Sequence, residues 1–320
     1  MKRALKIAGI VLGLILLILA GTLLFINFKG IPSYTVPELD YSHVSSPEAI
    51  ERGKKLTLTL CAGCHKDPAT GLLTGTQMLD APKEFGAIFS QNITQSKELG
   101  IGNWTDAELM YLLRTGIKKD GQYIPPYMAK LPHMADSDIN AIIAFLRSDD
   151  PMVQAQEVAD QPSKVSFLTK LLCNVAWKPM EMPKEKIELP DSTDQLALGK
   201  YLAFNLECFS CHSADFKTND YANPQNSVGF FGGGNPTLDK NGQGIATSNL
   251  TPDPDTGIGN WTEAQFIQAV KYGIKEGENA LRYPMAPFTL LTDYEVSSIY
   301  AYLKTIPPIK NEVKRVFYDE

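Results

Sequence analysis

One pattern limits this chain more than any other: the pentapeptide Cys-x-x-Cys-His occurs twice, once in each half of an internal duplication. Its copies are Cys61-Ala62-Gly63-Cys64-His65 and Cys208-Phe209-Ser210-Cys211-His212. Downstream of them, Asn92-Ile93-Thr94 and Gly100-Ile101-Gly102-Asn103-Trp104-Thr105 recur 157 residues later as Asn249-Leu250-Thr251 and Gly257-Ile258-Gly259-Asn260-Trp261-Thr262. The same offset carries Gly116-Ile117-Lys118 onto Gly273-Ile274-Lys275, Met128 onto Met285, and Ala144-Phe145-Leu146 onto Ala301-Tyr302-Leu303. The pentapeptides are only 147 apart, so the second copy holds ten extra residues, which a Gly-rich loop from Gly232 to Gly244 accommodates. The chain is two copies of one structural unit.

Each copy reads as a few short helices. Ser46-Pro47-Glu48 starts the first, with Pro just inside the N-terminus; its counterpart runs from about Thr193 to Cys208. Thr105-x-x-Glu108, Thr262-x-x-Gln265 and Thr292-x-x-Glu295 are capping boxes, and Asp136 or Ser137 is expected to cap the last helix of the first copy. Residues 139–147 and 296–304 carry apolar positions at helical spacing. No alternating strand pattern stands out, so the expected fold is all-α: two tandem domains, 46–150 and 191–320. A Pro-rich connector, 151–190, should be extended, with one short helix between Phe167 and Trp177.

The pentapeptide is the attachment signature of c-type haem. Two thiols three positions apart on a turn can add to the two vinyl groups of one porphyrin, and the next residue, His65 or His212, then falls under the iron. Two copies in a duplicated unit therefore predict two covalently bound haem c groups, held by Cys61, Cys64, His65, Cys208, Cys211 and His212. A zinc site would pool both motifs into one cluster and leave each repeat without a centre. A redox Cys-x-x-Cys does not require the histidine, and a disulfide within such a pair is strained. Met128 and Met285 are the expected sixth ligands: they share a repeat position and each lies beside Pro in an irregular stretch, where methionine is otherwise core filler. Close to Met128 lie His133 and Met134; His133 has Leu290 as its counterpart and is expected at the surface, and His43 is expected to face solvent. Cys173 is the odd cysteine and reads as a buried, inert thiol.

From Ile7 to Phe28 there is no charge. At about 1.5 Å per residue such a helix crosses the ~30 Å hydrocarbon core. A cleaved signal peptide would have a shorter apolar region than this. Residues 1–30 are therefore expected to be a retained, single-pass anchor, with 31–45 a tether that could extend ~55 Å at about 3.3 Å per residue. Lys2, Arg3 and Lys6 precede the span, so the positive-inside rule puts everything after Lys29 on the periplasmic side of the cytoplasmic membrane. Beyond residue 30 there are 26 basic and 36 acidic side chains, a net charge of −10, the wrong sign for nucleic acid.

Each repeat resembles a class I cytochrome c domain, and the whole is similar to the cytochrome subunits of membrane-bound alcohol and gluconate dehydrogenases. Carrying the resemblance are Gly53-Lys54, Gly199-Lys200-Tyr201-Leu202, both pentapeptides, both Asn-Ile/Leu-Thr and Gly-Ile-Gly-Asn-Trp elements, Pro284-Met285 and the ends of the last helices. It implies that Gly53 and Gly199 let the first helix cross close to Phe145 or Tyr302, and that Trp104 and Trp261 pack near a haem edge. Those subunits carry three such pentapeptides and this chain two, so quinol oxidation is not carried over. The expected role is electron transfer without bond chemistry, between a dehydrogenase or quinol-oxidising complex and a terminal oxidase or soluble carrier. The alternative of similar size is a dihaem peroxidase, which needs an iron whose coordination can open.

Overall fold

The structure, a computed structural model, describes residues 2–314 except 240, 276, 278 and 279; Met1 of the expected anchor and the last six residues of the second expected domain lie outside them. Helix α1 spans Lys2–Lys29. The first repeat contributes α2 (Pro47–Leu60), α3 (Ala62–His65), α4 (Asp106–Thr115) and α5 (Asp136–Leu146). Helix α6 (Phe167–Val175) lies in the connector. The second repeat contributes α7 (Gln195–Asn205), α8 (Cys208–His212), α9 (Glu263–Tyr272) and α10 (Asp293–Leu303).

The helix starts follow from local chemistry. Ser46 caps α2, accepting from the Ala49 N–H at 3.1 Å. All three capping boxes form, at Thr105/Glu108, Thr262/Gln265 and Thr292/Glu295. The exception is α5. Ala135 takes the cap position there, because Asp136 is engaged by Arg114 and Ser137 is exposed.

In each repeat the first helix crosses the last at a glycine. A Cβ on Gly53 would lie 1.8 Å from the Ala141 carbonyl oxygen, and one on Gly199 1.9 Å from that of Ser298. Phe145 and Tyr302 stand directly beside these crossings, as the resemblance implied. The crossings close two separate cores, one around Leu56, Leu73, Ile142 and Phe145, the other around Leu202, Phe209, Phe231 and Ile299. Each such side chain contributes about 1.5–3 kcal/mol of burial.

The all-α expectation needs one correction. Two short antiparallel ribbons are present: β1 (Gly86–Ala87) pairs with β2 (Lys164–Val165), and β3 (Pro236–Leu238) with β4 (Gly244–Ala246). Two or three residues give too little alternation to be read from sequence. The second ribbon occupies the ten-residue insertion, where the N–H of Gly242, a residue at φ +74°, donates to the Asp239 carbonyl.

The connector wraps the first repeat. The Gln95 N–H donates to the Val153 carbonyl at 2.9 Å, Ser163 bonds the Phe89 backbone, and Trp177 packs edge-on against Phe85 at 5.2 Å. Nor is the tether a free leash. The Tyr34 N–H donates to the Gly121 carbonyl (2.8 Å), and Val44 exchanges two backbone-to-side-chain bonds with Asn140. His43, expected in solvent, is half-buried with Nδ1 2.7 Å from the Asp106 carboxylate. Hydrogen bonds from its backbone N–H and its ring to Asp106, in the first turn of α4, hold it there. Where the tether begins, α6 is bonded to the last turn of α1: Lys170 Nζ lies 3.0 Å from Asn27 Oδ1, and Asn174 donates to the Gly30 carbonyl at 2.9 Å.

A polar seam joins the two repeats. Asp138 of α5, fully buried, is bonded by Arg52 of α2 and receives a 2.6 Å bond from the hydroxyl of Tyr201 in α7. The same hydroxyl accepts from the Ala135 N–H at 3.0 Å. Lys55 pairs with Glu295, and Leu60 of α2 packs into the second core. His133 belongs here and not on the open surface: its Nε2 donates to the Tyr221 carbonyl at 3.0 Å.

Candidate functional site

Both pentapeptides sit on a single helical turn that follows the first helix of their repeat. In the first, the Cys64 and His65 N–H groups both donate to the Cys61 carbonyl, at 3.1 and 2.8 Å, which puts the two thiols and the imidazole on one coil of chain. In the second, α8 runs from Cys208 to His212, entered through Glu207 at φ +59°.

The histidines are oriented identically. His65 Nδ1 is 2.8 Å from the Gln91 carbonyl oxygen, and His212 Nδ1 is 2.8 Å from that of Ser248. A carbonyl can only accept, so Nδ1 carries the hydrogen and the lone pair of each neutral ring resides on Nε2. Burial pulls the His65 pKa below the usual imidazole range, with the bond to Gln91 opposing it, which favours the neutral, ligating form. Gln91 and Ser248 are related by the same 157-residue offset as the rest of the repeat.

What holds those carbonyls explains the tripeptide that follows them in both repeats. Asn92 Oδ1 accepts from both the N–H and the hydroxyl of Thr94 (2.9 and 2.7 Å), and Asn249 Oδ1 does the same for Thr251 at the same distances. The Ile101 N–H then bonds the Thr94 carbonyl and the Ile258 N–H that of Thr251, both at 2.9 Å. Gly100 and Gly257 permit that approach, since a Cβ on either would fall 2.3 or 2.2 Å from the threonine carbonyl oxygen. Sequence reasoning singled out these motifs as repeat markers but missed their role as braces for the carbonyls that orient the histidines. The signal was available: the residue just before Asn-Ile/Leu-Thr.

Burial pushes the thiols of Cys61 and Cys208 up to about 12, and that of Cys64 up to about 11. A thiol-exchange pair needs the opposite shift. Among the described residues, no group of three or more His, Cys, Asp and Glu side chains is disposed to hold a metal ion, which removes the pooled zinc site. Cys173 is fully buried in α6 and its thiol is pushed up to about 11 by burial, as an inert thiol would be. The donor set fits a porphyrin attached through thioethers: neutral thiols in pairs, one turn from an imidazole whose other nitrogen is already engaged.

Met128 and Met285 occupy equivalent loops, each tied at both ends. The Ile124 N–H donates to the Gly116 carbonyl and the Leu281 N–H to that of Gly273, both at 2.8 Å; further on, Leu131 bonds Leu113 (2.8 Å) and Phe288 bonds Val270 (2.9 Å). Both methionines are half-buried, Met128 against the first core. Met134 is fully buried within that core. Trp104 and Trp261 each pack on their own core with a lysine, Lys119 or Lys275, over the ring.

Comparison with known proteins agrees with this geometry. The family model described as "Cytochrome c" matches residues 50–149 and again 196–307. The chain is 29% identical over 307 residues to the fructose dehydrogenase cytochrome subunit of Gluconobacter japonicus, covering 91% of this chain and 57% of that protein. It is 26% identical over 300 residues to the gluconate 2-dehydrogenase cytochrome c subunit of Pantoea cypripedii, with 87% of this chain and 65% of that protein covered. To a diheme cytochrome c-type protein of Cereibacter sphaeroides it is 27% identical over 271 residues, covering 78% and 83%. The chain thus spans about three-fifths of the two dehydrogenase subunits. These relatives support electron transfer and give the peroxidase alternative no support. With a matched region around each pentapeptide and each histidine held in the same way, the chain belongs to the cytochrome c family and carries two covalently bound haem c groups.

Proposed function

We propose that this chain is a single-pass, membrane-anchored electron carrier whose two domains work on the periplasmic side. Cys61 and Cys64 would hold one haem and Cys208 and Cys211 the other, with His65 and His212 as proximal ligands and Met128 and Met285 as sixth ligands. Bound haem supplies a one-electron couple, the iron alternating between ferric and ferrous. The chain's own residues set its conditions. The Gln91 and Ser248 carbonyls hold each imidazole in its ligating tautomer. Equivalent tied loops carry the two methionines, and a methionine ligand would keep the potential high and the iron closed to peroxide.

The single observation that carries this reading is the repetition of the histidine bond, 2.8 Å in both halves, across loops of different length. Helix α1 supports the anchor: Leu5–Lys29 is long and apolar enough to cross a membrane. The names of the relatives support a dehydrogenase as electron donor; the acceptor would be a terminal oxidase or soluble carrier. The acidic exterior suits a basic docking patch on either partner.

Single substitutions test the ligands. Met128→Ala and Met285→Ala should each remove the methionine-to-iron band from one haem only and lower that haem's potential. Retention of both bands in either variant, or a five-coordinate haem in the partly reduced native protein, would overturn the assignment.

A further inference from the structure

Helix α6 belongs to neither haem unit. Thr169 and Cys173 turn into the first domain, where the Thr169 hydroxyl donates to the Phe85 carbonyl at 2.8 Å and Cys173 is wholly buried. Lys170 and Asn174, one position on, reach the end of α1 at Asn27 and Gly30. The remaining side is apolar. Leu168, Leu171 and Val175 recur at i, i+3 and i+7, which places them on one stripe, with Phe167 next to it. Leu168 is 40% exposed, Phe167 38% and Val175 62%. No acidic residue occurs from 161 to 180, whereas Lys164, Lys170 and Lys178 give this segment a charge of +3. The rest of the chain beyond residue 30 is strongly acidic.

We infer that α6 is a second membrane contact, lying in the headgroup region of the bilayer that α1 spans and packing its Leu168–Leu171–Val175 stripe against the outer ends of the acyl chains. Two independent features point to lipid as the occupant. Position is the first: α6 is hydrogen-bonded to the last residues of the apolar span, so it stands at the level where hydrocarbon gives way to water. Composition is the second: an apolar stripe flanked by lysines, in an otherwise acidic protein, matches an interface with anionic headgroups. The inference rests on the proposed anchor. It adds that the first domain is seated on the membrane through its connector.

The test uses the full-length haem-loaded protein in vesicles of phosphatidylethanolamine and phosphatidylglycerol doped with a phospholipid bearing a photoreactive diazirine high on its acyl chain. After irradiation, lipid adducts are mapped by peptide mass spectrometry. Adducts are expected on residues 167–175 as well as on α1. In the Leu168→Asp/Leu171→Asp/Val175→Asp variant, those on 167–175 should fall at least tenfold while those on α1 persist. Adducts confined to α1 would overturn the inference, leave the anchor standing, and hand the exposed face to a protein partner. Adducts on neither helix would overturn the anchor itself. Undiminished labelling of 167–175 in the variant would show non-specific capture and also overturn the inference.

Discussion

The first domain makes its histidine bond across 26 residues and the second across 36, yet both bonds measure 2.8 Å. The Asn–Thr braces also agree to the tenth of an ångström. The outer surroundings of the two sites differ. The first is wrapped by the connector and by the tether, and Asn92 bonds the Gln156 and Val158 carbonyls of the connector. The second is enlarged by a ribbon, although its brace is closed in the equivalent way, Asn249 bonding the Ile309 carbonyl at 2.7 Å in the segment after its own last helix. At the residue before the pentapeptide, the first domain has Leu60, packed into its neighbour's core, and the second has Glu207. Orientation of the imidazole is what the duplication keeps. Burial, wrapping and local charge are what it varies, and those are the means by which two haems of one ligand set can differ in potential.

The sharpest way to break the comparison is to empty one half. Replacing Cys61 and Cys64 by Ser, or Cys208 and Cys211 by Ser, should reduce the mass gained from two haem groups to one and leave the other haem's spectrum intact. Loss of both haems from either variant would mean that the halves do not mature independently.

Next in size are the helix crossings. Gly53→Ala and Gly199→Ala each drive a Cβ into a backbone carbonyl, so each should cost about 3 kcal/mol or more in denaturant unfolding of the loaded protein. Similar costs in the two variants would sustain the equivalence of the halves; a cost under about 1 kcal/mol in one alone would end it.

The seam comes third. Tyr201→Phe removes a donor from buried Asp138 and an acceptor from the Ala135 N–H, and should destabilise by about 1–3 kcal/mol. Two resolved unfolding transitions in place of one would mark uncoupled domains.

The smallest effect separates Glu207 from Leu60. Burial pushes the Glu207 carboxyl up to about 7, partly opposed by Ser210 and Lys130. The folded protein therefore holds a proton there that the unfolded chain releases in the ordinary carboxylate range. This contribution to stability is fully present below that range and is lost as pH rises to about 7. Glu207→Gln should flatten the stability profile in that window by on the order of 1–2 kcal/mol. Its loss should also remove a fall in the second haem's potential as pH rises through about 7, since a new negative charge favours the ferric state. An unchanged profile in either measurement would show that the two domains do not differ by this group.

Much of the machinery was legible because it is local. Capping boxes, pentapeptides and the repeat offset all lie within a few residues or recur at a fixed spacing, and α2, α4, α9 and α10 start where those signals stand. Tyr201 and Asp138 are 63 positions apart, Lys55 and Glu295 240, and no periodicity announces such partners. The docked tether and the placement of His43 and His133 escaped for the same reason: each answers to a group on another element. Asp136 failed as a cap because a buried arginine, Arg114, claimed it first.

The seam has a further consequence. Tunnelling between two redox centres weakens exponentially with the gap between them, so a hinged pair would hand an electron over only at the closest point of each swing. Here the Tyr201 hydroxyl on Asp138 and the Lys55–Glu295 pair bolt the halves together. With both haems in place, such a seam would hold the internal hop to a single separation instead of a range of them.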